Sequence, residues 1–117
     1  MELAPLIDLL LTLRNQMKLY HWQTHSYAQH SSSDKLIDAL DTLIDRFVET
    51  AMGHFGRPKY TNMTLSLRVF TTSAEAIQLL QKASDLFSQQ KMPTDLATVR
   101  DDLVATIRQF IYVFSLN

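Results

Sequence analysis

Apolar side chains recur at three- and four-residue steps through four stretches of the chain, and the segment from residue 54 to 71 is where that rhythm fails. Leu3, Leu6, Leu10, Leu13, Met17 and Tyr20 share one face of a first helix, expected over residues 3–24. Leu36, Leu40, Leu43, Phe47 and Ala51 mark a second, expected over residues 27–53, with Gly53 and Gly56 as stop signals. Its start has two readings. Ser31, Ser32 and Ser33 could cap a helix beginning at Asp34, or the helix could begin near Ser26 and run through the serines. Thr72 and Glu75 have capping-box spacing, and Ala76, Leu79, Ala83 and Leu86 then form the expected inner stripe of a third helix over residues 73–90. Pro93 separates it from a fourth, over residues 95–115, with Leu96, Val99, Leu103, Ile107, Phe110 and Phe114 facing inward. The stretch from 54 to 71 reads as a connection long enough to cross a bundle, with room for a short helix near Leu65. Two glycines and three prolines leave few turn residues for a β architecture, so the expectation is all-α: a four-helix bundle in one domain, residues 1–117.

Charge and cysteine content narrow the function. Eleven basic residues balance twelve acidic ones for a net charge of -1, and no Lys/Arg run forms a tail, which argues against nucleic acid as a partner. The absence of cysteine removes disulfides, thiolate catalysis and zinc–thiolate sites. The apolar runs at Leu9–Leu11 and Phe110–Phe114 are too short to span a bilayer, and no signal peptide is visible, so an intracellular or virion location is expected. Neither a phosphate-cradling glycine loop nor a nucleophile elbow is present.

Side chains able to bind metal concentrate in the first half. All four histidines (His21, His25, His30, His54) lie there, and on the second helix His30, Asp34, Asp38, Asp41, Asp45 and Glu49 fall within about a quarter-turn beside the apolar face. Carboxylates with neutral imidazoles at one end suit iron or manganese, with zinc as a substitute. The bland alternative is a solvated acidic face.

The spacing points further. His21-Trp22 closing the first helix, followed by His30, Asp34, Asp45 and Glu49, resembles the ferroxidase signature of the Dps-type ferritin-like family, in which a His-Trp pair precedes a His-x3-Asp, ten residues, Asp-x3-Glu pattern. The likeness covers residues 10–53; the loop between His21 and His30 is three residues shorter than in that family and lacks its glycine and phenylalanine. It implies a ferritin-like bundle, metal ligands at His21, His30, Asp34, Asp45 and Glu49, Fe(II) oxidation, and a homodimer with two intersubunit sites, with a larger cage open. A second likeness, carried by Tyr20-His21-Trp22-Gln23-Thr24, Ser26-Tyr27-Ala28, Thr94-Asp95-Leu96 and Arg100-Asp101, is to short uncharacterised proteins of large DNA viruses, and implies no mechanism.

Helix geometry adds a constraint independent of either family. His30 and Asp34 can share an ion, as can Asp45 and Glu49, but Asp34 and Asp45 are separated by about 16 Å of helix. The two pairs cannot close on one metal within one straight helix. The last two helices contain no histidine, so a second copy, packed antiparallel about a two-fold axis, is the economical source of the missing ligands. Trp22 and Tyr27 read as packing residues at the helix junction. Asp38 and Asp41 read as solvated or supporting charges, His25 and His54 match no ligand position, Glu75 reads as a cap, and Asp95, Asp101 and Asp102 suit a helix N-terminus. The leading function is iron binding with Fe(II) oxidation; the competing one is a non-enzymatic structural or interaction dimer.

Overall fold

The structure, a computed structural model, describes residues 2–60 and 62–116, and among these every regular element is helical. The four helices are α1 (Leu3–Gln23), α2 (Tyr27–Phe55), α3 (Ser73–Ser88) and α4 (Thr94–Phe114). At 1.5 Å per residue the 29-residue α2 is about 43 Å long. It therefore sets the 42 Å long axis of the molecule.

Local chemistry explains the boundaries. Ser26 caps α2 by accepting from the Gln29 amide at 3.2 Å, which settles its start at the earlier of the two expected positions and puts all three serines inside the helix. The end differs from expectation. Gly53 stays helical, and the stop comes at Gly56, whose φ of 78° lies in the left-handed region open to glycine. The Thr72–Glu75 capping box forms at α3 as expected. No helix forms at Leu65; residues 57–60 and 62–71 carry no regular structure.

α1 and α2 form one antiparallel hairpin and α3 and α4 another; α2 packs along α4, and α1 packs more sparsely along α3. The crossover from Gly56 to Thr72 runs the length of α1, so α3 enters at the same end as α2 and points the same way. The crossover has one main anchor. Gln16, 3% exposed, gives its amide N–H to the Arg68 carbonyl at 2.7 Å and takes the Arg68 N–H on its own oxygen, serving an extended backbone as a neighbouring strand would. Phe70, buried two residues on, fastens the end.

The core contains the expected face of α1 in full: Leu3, Leu6, Leu10, Leu13, Met17 and Tyr20 are all buried. In α3 the inner stripe is rotated from expectation. Leu80 and Phe87 are buried, whereas Leu79 is half-buried and Leu86 is exposed. The Phe87 ring meets Phe47 of α2 edge-on at 5.4 Å, a contact worth about 0.5–1.5 kcal/mol beyond area burial. The same one-residue shift puts Ile44 rather than Leu43 in the α2 core, and Val104 joins α4 while Phe110 is only half-buried.

A candidate metal-binding face on the first hairpin

His21 lies in the last turn of α1 and His30 in the first turn of α2, and the tight turn between them stacks their rings with centroids 3.8 Å apart and planes 16° apart. Their backbone contacts are reciprocal. The Nδ1 of His21 is 2.8 Å from the His30 carbonyl, with Ser33 Oγ at 3.0 Å, and the Nδ1 of His30 is 2.8 Å from the His21 carbonyl. A carbonyl only accepts, so both Nδ1 atoms carry a proton, and the uncharged form of each ring has its lone pair on Nε2. His21 is 8% exposed, yet no buried side-chain nitrogen or oxygen lacks a partner among the described residues, so its unbonded Nε2 edge reaches the surface.

A ring nitrogen donates in the plane of its ring. Two planes stacked at this distance and tilt do not meet at a point about 2.0–2.1 Å from both nitrogens, the usual metal–imidazole distance. As stacked, the two rings face different ions, or a single ring faces one.

The carboxylates of α2 follow as a solvent-facing stripe: Asp34, Asp38, Asp41, Asp45 and Glu49 are all exposed. Asp41 is paired, accepting from Arg14 Nε at 3.0 Å and its second guanidinium nitrogen at 3.3 Å. That bond holds α1 to α2 and raises the Arg14 pKa, chiefly through the hydrogen bond to Asp41. Among the described residues no three His, Cys, Asp or Glu side chains within one chain are gathered so as to hold a metal ion. The structure thus brings His21 and His30 together and leaves Asp34, Asp45 and Glu49 spread along the helix.

Trp22 and Tyr27 are not packed at the junction as the sequence suggested. They are 64% and 83% exposed, Trp22 under the Lys18 ammonium at 5.4 Å from the ring centroid and Tyr27 tilted 6.3 Å from His30. The packing is done by residues the sequence reading passed over. Buried Gln29 accepts from the Tyr20 hydroxyl at 3.0 Å and donates to the Phe114 and Leu116 carbonyls at 3.2 and 3.1 Å, tying both hairpins together. Its place on the apolar side of α2 was the available signal. His54 serves Asp95, its Nε2 lying 2.8 Å from both carboxylate oxygens and holding that carboxyl below its ordinary pKa. Asp102 pairs with Arg46 and Asp101 with Arg100.

The sequence matches the model of a family described as a family of unknown function (DUF5856) over residues 21–114, most of the chain. The protein belongs to that family. The matched span opens at His21 and includes His30, Asp34, Asp45 and Glu49. The chain is also 26% identical, over 112 residues, to an uncharacterised 14.6 kDa protein of the mobD–ri intergenic region of Enterobacteria phage T4, covering 95% of this chain and 86% of that one. No solved structure matches. The likeness of this DUF5856 member to short viral proteins is thereby borne out, while the Dps likeness rests on the residues alone. No helix among the described residues is long and apolar enough to cross a membrane.

Proposed function

We propose that this protein binds divalent transition-metal ions at sites shared between two copies, with Fe(II) as the substrate of an oxidation by peroxide or oxygen. The observation that carries the reading is the locked tautomer of the histidine pair: an imidazole whose Nδ1–H is held by a backbone carbonyl presents Nε2 as a fixed donor, the supporting arrangement of metal-binding histidines. Asp34 lies one turn from His30 and supplies a hard oxygen beside it. Asp45 and Glu49 lie too far along the same helix to join them, and belong to the site of the partner copy. The single long crossover is a connection that ferritin-like bundles use, which supports the same reading. In the oxidation each Fe(II) gives up one electron; two reduce one peroxide, whose O–O bond breaks to yield two waters with two protons taken up.

A structural reading has its own support. The His21 carbonyl is one of the last in α1, where no helical N–H reaches it, so the bond from His30 satisfies a group that would otherwise need water. On that reading the pair is a latch for the hairpin and the stripe is a solvated face. Titration calorimetry with Mn(II) on metal-stripped protein separates the two. Asp34→Ala and Glu49→Ala should each abolish stoichiometric binding while circular dichroism keeps the parent's helicity, because both side chains are exposed and outside the core. Parent-like binding by either variant leaves the latch as the function of the pair.

A further inference from the structure

We infer that the outer face of α1 and α2 is the surface on which a second copy docks, and that divalent metal controls the docking: the faces repel when metal-free and join when the ions are bound. This rests on the shared-site reading above and adds its register and its regulation.

Sharing fixes the register. For His30 and Asp34 to meet Glu49 and Asp45 of the partner subunit, two α2 helices must run antiparallel about an axis passing between Ala39 and Leu40. The same register sets Tyr27 opposite Met52 of the partner subunit and Asp38 opposite Asp41 of the partner subunit. Tyr27 and Met52 lie on the same sector of α2 as the carboxylates, about 80° wide. Tyr27 is 83% exposed and Met52 half-buried, so each gains a partner in an aromatic–sulfur contact.

The ends of the face are complementary in charge. Lys18 and Trp22 stand beside the histidine end, Leu11 continues their stripe down α1, and the antiparallel register carries Lys18 to the end where Asp45 and Glu49 of the partner subunit lie. A large exposed tryptophan and tyrosine at the margin of one face are the residue types that dominate interfaces between proteins.

The middle is the opposite. Five carboxylates on α2 meet three cations, Arg14 and Lys18 of α1 and Lys35 of α2, while Arg46 is given to Asp102; two negative charges remain on each face, and the two-fold axis brings like against like. Arg14 neutralises Asp41, one of the carboxylates nearest the axis; Asp38 has no such partner among the described residues. Ions that bind only where two copies meet supply the missing positive charge. By mass action they raise the dimer constant about 100-fold per site once metal stands at 100 times its dissociation constant.

Sedimentation equilibrium of the full chain at low ionic strength tests this, first with chelator and then with Mn(II), which stays redox-silent. The 13.5 kDa chain should sediment as a monomer in chelator and at twice that mass with Mn(II). Asp38→Asn should raise the dimer constant in chelator and leave Mn(II) bound per chain unchanged, since it removes charge at the axis and no ligand; no rise would overturn the register. A parent equally dimeric in chelator overturns the metal control but spares the shared site. Stoichiometric Mn(II) on a chain that stays monomeric overturns the docking and the sharing together, leaving a single-chain site. A chain that binds no Mn(II) overturns the proposed function and this inference with it.

Discussion

Gln16 shows how much one polar side chain does in this fold. Among the described residues its amide is the one side chain bonded to both the N–H and the carbonyl of Arg68, and without it those groups have no partner on α1. Gln16→Ala should cost about 1–2 kcal/mol, the net worth of the two part-buried hydrogen bonds that it removes. A lower urea midpoint at unchanged slope is the expected observation. A variant within a few tenths of a kcal/mol of the parent would mean that water replaces the amide and that Phe70 alone fastens the crossover. The histidine pair does similar work: the carbonyl of His21, among the last in α1, takes the Nδ1–H of His30, and the His21 ring returns a bond to the His30 carbonyl.

At the scale of the elements, the α3 capping box links stability to pH. The Glu75 carboxylate accepts from the Thr71 and Thr72 amides and from the Thr72 hydroxyl, and these bonds, the hydroxyl's first, lower its pKa. A carboxyl depressed in the folded state adds stability that is present above its unfolded pKa, near 4.3, and is lost as pH falls through the lower folded value. Glu75→Gln should therefore flatten the acid side of the stability–pH curve, and the parent and variant should converge at the lowest pH; denaturant titrations between pH 2 and 6 check it. Thr72→Ala should cost about 1 kcal/mol near neutral pH and less once Glu75 is protonated, because it also removes the hydroxyl that the carboxylate accepts from. Caps of this kind are why the helices could be read from the sequence to within a few residues. The face of α3 could not, because Leu79 and Leu80, like Leu86 and Phe87, are adjacent apolar choices and the phenylalanine ring across the bundle decides between them. The short helix expected near Leu65 does not form because the crossover's contacts run through backbone to Gln16, a residue with no apolar signal. Ligand types and spacing on α2 were legible, but the histidine stack was not: it forms across the turn between two helices, where helical periodicity carries no information.

The whole molecule raises the question of what a second copy contributes. One variant carrying His30→Ala and Asp34→Ala and another carrying Asp45→Ala and Glu49→Ala should each be silent alone. Mixed after confirmed subunit exchange, half of the dimers are heterodimers, each with one intact site, so bound metal or oxidation rate should return to about a quarter of the parent's. A single-chain site gives no recovery. Every candidate ligand sits on the first hairpin, and the second supplies the cover for its apolar side. The crossover between them, with Arg57 and Lys59 on its exposed stretch, is the part of the chain open to a protease. A cut there severs the covalent thread without removing a helix, and Gln29 still reaches the Phe114 and Leu116 carbonyls from the other piece. The two hairpins are thus separable as lengths of polypeptide but not as folded bodies, since either one released from its mate would present its leucines and phenylalanines to water.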